Sequence, residues 1–365
     1  VAGPTGTSAG GSFVMTAGAK ILEAGTGDFA GGAAGPGRRN VPPRGNWTSN
    51  AWVNFAIRRT GGLLLSLFLL VVLTFMIVPL IPGDPARAIA GTDASPETLA
   101  RLREQMGLDD PLPLRFLDYL TGLLQFDLGT SFRFNDAVAG IVATKLPYTA
   151  QLALMAIAVV LVVAIPAGMG VGVLTRGGRR RWLDLVFSNV AGFLASLPGY
   201  VTATLLIVAF AIMVPIFPAG GADSLAALVL PTLALGIGPA CAVARVVRQE
   251  TATVLEQDYM RTARGRRIPP LRLYLRHALP NLLTSTLTLT GLILASLLGG
   301  AIIIETVFNY PGLGNEIIQA IIYRDYPLIQ GIILVIGLIA TLLNILVDVI
   351  LGIIDPRTVG AKSHG

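Results

Sequence analysis

The chain has 365 residues, of which 53% are hydrophobic and 13% charged, with a formal net charge of +6. That charged fraction is about half the roughly 25% of soluble domains, and a mean hydropathy of +0.70 exceeds what one buried core can hide. Disorder as the main content is excluded. So is a disulfide-stapled secreted domain, because Cys241 is the single cysteine. A polytopic membrane protein remains.

Residues 1–54 come first and differ in kind from the rest. Gly, Ala, Thr and Ser dominate Val1–Gly37, and Pro42-Pro43-Arg44-Gly45 interrupts the chain again. Such a composition cannot bury enough apolar surface to offset chain entropy, so a disordered cytoplasmic extension is expected. Trp47, Trp52 and Phe55, just ahead of Arg58-Arg59, read as an interfacial anchor.

Six windows then carry no Asp, Glu, Lys or Arg: Thr60–Gly83, Leu146–Thr175, Leu185–Ala222, Ser224–Ala244, Ala278–Ile304 and Tyr326–Val347. Each reaches the roughly 20 residues an α-helix needs to cross about 30 Å of hydrocarbon. The third is long enough for a helix plus an external turn, marked by Pro215, Pro218, Gly220 and Gly221. None shows the polar–apolar alternation of a membrane β-barrel. The expected fold is an all-α membrane protein with six transmembrane helices. Pro147, Pro166, Pro198, Pro231 and Pro239 predict kinks, and Gly168, Gly170, Gly236 and Gly238 predict close helix contacts.

Orientation comes from the loops. Thr175–Trp182 holds Arg176, Arg179, Arg180 and Arg181 without an acid, and Arg245–His277 holds eight arginines against Glu250, Glu256 and Asp258. The segment between the first two windows has six basic residues but nine acidic ones. Excess Lys and Arg stay cytoplasmic, which places both termini and the 2–3 and 4–5 loops inside. The high pI thus reports membrane topology rather than nucleic-acid binding.

Two loops exceed simple connections. Residues 82–147 read as a small extracytoplasmic helical insertion. In it Ser95 caps a helix with Pro96 at its first position, Leu99, Leu102 and Met106 share a face, and Gly107 stops it. A second helix is expected from Pro113 to Phe126, burying Phe116, Leu117, Leu120 and Leu124. The insertion reads either as an interfacial pad or as a platform for an extracytoplasmic partner. On the other side, residues 245–280 contain Asp258-Tyr259-Met260-Arg261-Thr262-Ala263-Arg264-Gly265, then Arg266-Arg267 and Pro269-Pro270. Tyr259, Thr262 and Ala263 can share one face of a short helix with arginines elsewhere, and Gly265 offers a turn. Such a helix suits docking into a groove of another protein; a basic loop gathering anionic lipid is the alternative.

This inner loop resembles the coupling loop of ABC importer permeases, whose pattern is Glu-Ala-Ala, three residues, Gly, nine residues, Ile-x-Leu-Pro. Arg261-Thr262-Ala263 takes the first places and Ala278-Leu279-Pro280 the end, while Arg267 stands where the family has its glycine. Asp-Tyr-x-Arg-Thr-Ala-Arg and Leu-Arg-His-Ala-Leu-Pro-Asn resemble the dipeptide and oligopeptide branch. Further pieces resemble its B-type subunit: Pro82-Gly83-Asp84-Pro85, Met106-Gly107-Leu108-Asp109 and Asp127-Leu128-Gly129-Thr130-Ser131. So do the run from Glu305 to Gly314, Arg324-Asp325-Tyr326-Pro327 and Asp355-Pro356-Arg357. The resemblance covers residues 55–358 and leaves the extension and a 359–365 tail outside.

It implies a transmembrane permease subunit in the cell membrane. With a second permease it would form the path for dipeptide or oligopeptide uptake, with nickel, glutathione or another small solute as alternative cargo. Two cytoplasmic ATPase subunits and an extracytoplasmic substrate-binding protein would be its partners, with ATP and Mg on the ATPases. Asp258, Tyr259, Arg261, Thr262, Ala263, Arg264, Gly265, Arg267 and Pro280 would form the ATPase-coupling segment.

The residues point to no catalytic site. Gly360-Ala361-Lys362-Ser363 lacks the glycine before lysine that a phosphate loop needs, and His277 and His364 have no metal-ligand partners at suitable spacing. Glu305 at the end of the fifth window and Asp348 near the end of the sixth read as capping or pairing groups. Glu305 as part of an outer gate is the functional alternative. An ion-coupled secondary carrier or channel is the competing class, disfavoured because the windows hold no midplane charge.

Overall fold

The computed structural model describes residues 47–80, 84–91, 94–105 and 107–354. The bulk of the predicted extension, Pro82-Gly83, Met106, Asp355-Pro356-Arg357 and the 359–365 tail lie outside the described residues, as do the side chains of Trp47, Trp52, Phe55 and Asp348. The chain divides into two units, Val1–Trp47 and Thr48–Gly365, and the helices belong to the second, α1 beginning at its boundary.

Helix α1 runs Trp47–Leu80. It therefore starts ahead of the expected boundary at 55, because no Gly or Pro interrupts the chain between Gly45 and Gly61. The insertion supplies α2 (Pro85–Ala90), α3 (Pro96–Gln105) and α4 (Leu112–Leu124). The bundle continues with α5 (Val138–Leu174), α6 (Arg181–Ser196), α7 (Gly199–Ile207) and α8 (Leu225–Glu256). Then come two short helices, α9 (Asp258–Gly265) and α10 (Pro270–Leu273), followed by α11 (Leu279–Val307), α12 (Leu313–Ile322) and α13 (Tyr326–Ile354). Among the described residues β pairing is limited to one antiparallel bridge, Thr130 to Ala137.

Each charge-free window contains helix among the described residues. Four stretches among the described residues are long and apolar enough to cross a membrane: Arg59–Ile77, Val138–Leu174, Leu225–Glu256 and Tyr326–Val347. The α6–α7 pair makes a fifth if its 97° bend belongs to one span. The kink expected at Pro198 is a full break between two helices. Pro198 lacks an N–H and forces Leu197 into extended backbone (φ −68°, ψ 129°), so the helix stops there. Pro147, Pro166, Pro231 and Pro239 by contrast sit inside continuous helices.

Helices α5 and α8 form the centre of the bundle. A Cβ on Gly168 would lie 2.4 Å from the Ala244 carbonyl oxygen, and one on Gly172 would lie 2.7 Å from Thr251 Cβ. Gly236 approaches the Ala156 carbonyl, whereas Gly170 and Gly238 face open space. Close approach thus requires one of the four predicted glycines, Gly168, plus Gly172, since a Cβ on Gly236 would make ordinary contact. Around this pair, Leu152, Ala156, Leu230, Ala234, Ala301 and Ile304 form the main buried core.

The insertion is built partly as expected. Ser95 Oγ accepts from Thr98 N at 3.2 Å, capping α3, and Gly107 has φ +60°. Arg103 holds the corner by pairing with Asp84 at 2.9 Å and Asp109 at 3.0 Å. The inward face of α4 differs from the prediction: none of its residues is fully buried, Phe116 and Leu120 are half-buried, and Leu117 and Leu124 are 54% and 75% exposed. At about 100° per residue, Phe116, Tyr119 and Leu120 cluster on one side, with Leu117 and Leu124 turned away. That side meets α1, where Phe75 packs edge-on to Phe116 and tilted against Tyr119.

Candidate functional site

The predicted coupling segment is a corner between α8 and α11. Gln257, in extended backbone, ends α8 and starts α9. Met260 and Ala263 are buried and pack with Val254, Leu255, Leu273, Ala278 and Leu282. Burying Met260 contributes about 2 kcal/mol to holding α9 against the bundle. The Arg264 guanidinium folds back to donate to the Leu255 carbonyl. Tyr259, Arg261 and Thr262 remain exposed. Arg261 approaches Asp258 at 3.6 Å, and Thr262 Oγ donates to the Asp258 carbonyl at 3.0 Å. Asn281 Nδ2 donates to Tyr259 Oη at 2.8 Å, tying α9 to the first turn of α11, where exposed Pro280 also lies.

The helix is legible in the sequence, but its face is not. The expected face groups Ala263 with Tyr259 and Thr262, whereas Ala263 points inward beside Met260, three residues earlier. That i, i+3 apolar pair is the available signal. The turn is also displaced from Gly265. A Cβ at Gly265 meets nothing within 4 Å, and its φ is not positive. The left-handed residue is Arg267, with φ +55°, its N–H donating to the Arg264 carbonyl at 2.9 Å. The backbone thus keeps a conformation that favours glycine at the position where Arg267 stands.

Glu305 lies at the other end of α11, 0% exposed. Its Oε2 accepts from Gly314 N at 2.6 Å and Asn315 N at 3.3 Å, so it caps the first turn of α12 from outside that helix. A Cβ on Gly312 would lie 2.4 Å from Glu305 Oε2, and one on Gly314 would lie 2.3 Å from Ile302 Cα. The glycines of the 305–314 run leave room for the carboxylate and for backbone contact. Thr149 Oγ1 of α5 accepts from Leu313 N at 2.8 Å, and Lys145 pairs with Glu316 at 3.3 Å.

A second clasp, unmarked as a pair in the sequence, joins two motif pieces. Asp325 is 0% exposed and accepts from Ser131 Oγ at 2.5 Å, Phe132 N at 3.1 Å, Arg133 N at 3.2 Å and Leu328 N at 3.3 Å. Arg133 lies over the ring of Tyr323 at 4.0 Å. His277 uses its backbone carbonyl to receive Asn281 Nδ2 at 3.0 Å. Among the described residues no three His, Cys, Asp or Glu side chains are grouped to hold a metal.

Bent apolar helices in contact through glycine, with a short helix presented at a helix corner, define a multi-pass membrane protein. The chain belongs to the family of binding-protein-dependent transport system inner membrane components: that description matches residues 164–360, and its N-terminal counterpart matches residues 52–153. A Brucella suis biovar 1 (strain 1330) relative, provisionally named a peptide transport system permease protein, is 38% identical over 80% of this chain and 94% of its own length. The glutathione transport system permease protein GsiC of Salmonella choleraesuis (strain SC-B67) is 38% identical over 83% of this chain and 98% of its own. Among solved structures, an inward-facing form of the MetNI methionine ABC transporter matches with a TM-score of 0.50 at 19% identity. The match covers 60% of this chain and 97% of that one, and shows a shared fold. The protein is a multi-pass inner-membrane transport component rather than an enzyme.

Proposed function

We propose that this chain is the B-type permease of an ABC importer for short peptides. It would pair with a second permease, receive ATP-driven closure from two cytoplasmic ATPase subunits, and take substrate from an extracytoplasmic binding protein. Six spans with both termini cytoplasmic fit the reading, since the arginine-rich α9 then faces the ATPases. The names of relatives at 38% identity support peptides, and glutathione is itself a small peptide.

The observation that carries the coupling role is the divided surface of α9. Met260 and Ala263 fix it rigidly to its own chain, while Tyr259, Arg261 and Thr262 are left outward. A helix so held transmits a rigid-body push instead of absorbing it. The test is Thr262→Arg in the complete importer reconstituted in proteoliposomes. Substrate-stimulated ATP hydrolysis and peptide uptake should both fall by about tenfold or more (an order-of-magnitude expectation for a charge placed in a packed interface), with the unfolding temperature unchanged. Normal coupling in that variant would refute the assignment.

A further inference from the structure

Helix α4 carries a second apolar face, turned away from the rest of the chain. Leu117 and Leu124 lie on it, and Phe126, just beyond the helix, is 90% exposed. At about 100° per residue, Leu117, Leu120 and Leu124 fall within an arc of about 60°. Arg115 lies on the opposite side of the helix, and Asp118 is more than about 100° away.

The level of this face is set by what α4 rests on. Phe116 and Tyr119 pack on Phe75 with ring centroids 5.2 and 5.8 Å apart. Phe75 belongs to Arg59–Ile77, the stretch of α1 that is long and apolar enough to cross a membrane. It precedes the end of α1 at Leu80 by five residues, about 7.5 Å of helix. Helix α4 therefore stands beside the last apolar turns of a span, not beyond them in water. The bare surface of that span reaches the same level: Phe68, Leu69, Leu73 and Met76 are all exposed, and Met76 adjoins Phe75 in the chain. Lipid covers such a surface on a membrane-crossing helix, and the Leu117–Leu124 face of α4 continues it.

Phe126 adds an independent observation. Its φ of +59° is a conformation that favours glycine. The reversal is held by Phe126 N donating to the Leu123 carbonyl at 3.0 Å and Asp127 N to the Gly122 carbonyl at 2.9 Å. In water, both the strain and the bare ring would count against this arrangement. At a membrane boundary, where aromatic side chains are enriched, burial of the ring offsets the strain.

We propose that α4 lies in the membrane boundary at the Leu80 end of α1, with Leu117, Leu124 and Phe126 among lipid acyl chains and the Arg115–Asp118 edge turned away from them. An amphipathic helix lying in the interface plane buries its apolar face in this way. The inference rests on α1 being a span, and on neither cargo nor ATPase coupling.

The test is nitroxide labelling of Leu117→Cys, Leu124→Cys, Phe126→Cys and Asp118→Cys. Each is made in the full chain carrying Cys241→Ser, which removes the single native cysteine, and placed in lipid nanodiscs. Collision with oxygen, which concentrates in hydrocarbon, is compared with collision with a water-soluble nickel complex. The oxygen-to-nickel ratio at 117, 124 and 126 is expected to exceed that at 118 by at least about threefold, because hydrocarbon excludes the polar complex. The three apolar positions report independently, and any two folded variants decide. Ratios equal to that at 118 would place the face in water and overturn the proposal. So would loss of oxygen access when the chain is measured together with the subunits that co-purify with it, since the face would then be covered by protein.

Discussion

The Ser131 hydroxyl donates to Asp325 Oδ2 at 2.5 Å, joining residues 194 positions apart in the chain. With Phe132 N, Arg133 N and Leu328 N on the same carboxylate, one buried acid fixes the end of the insertion to the first turn of α13. Asp325→Ala would leave that hydroxyl and those N–H groups without their acceptor. The expected loss is about 3 kcal/mol, with Asp325→Asn losing roughly half as much because one oxygen remains. Unfolding of the purified protein in an SDS titration measures both.

Glu305 is placed as an external cap for α12. Glu305→Gln keeps an acceptor for Gly314 N and should cost about 1 kcal/mol without altering substrate range. A changed range in a transport assay would instead favour the outer-gate role. Gly314→Ala drives a methyl against Ile302 Cα and should cost more, about 3 kcal/mol, since the obstruction is backbone.

The turn after α9 gives a paired prediction. Arg267 holds φ +55°, which costs a residue with a Cβ about 1 kcal/mol relative to glycine. Arg267→Gly should stabilise the corner by about that amount. Gly265→Ala should also stabilise, by up to about 1 kcal/mol, because it enters helical backbone facing empty space. Amide exchange across residues 258–267 reads both changes, and faster exchange in either variant contradicts the geometry.

The α5–α8 contact is graded by glycine. Gly168→Ala must displace the Ala244 carbonyl and is expected to cost about 2 kcal/mol, while Gly170→Ala, two residues along, meets nothing and should be neutral or slightly stabilising. Thermal unfolding of the two variants side by side separates helix packing from helix propensity.

Much of the helical plan is legible because it depends on local composition. Ser95-Pro96 announces the start of α3, and Pro198 announces a break, since a missing N–H acts wherever the chain goes. The magnitude of that break, 97°, is not legible, because it is set by what α6 and α7 each pack against. The inward turn of Ala263 with Met260 has only a weak local signal, the i, i+3 apolar spacing, for a related reason. Burial on a short helix is decided by residues such as Leu282, further along the chain.

Sequence by itself determined that this chain is a helical membrane protein, where its helices lie, and which short segments carry family character, because apolar length, charge asymmetry and turn chemistry act over a few residues. Tertiary structure alone decided which of those segments meet. Asp325 finds Ser131, and Glu305 finds the N–H groups of α12, because a carboxylate buried among apolar helices needs donors, and folding brings them from distant parts of the chain.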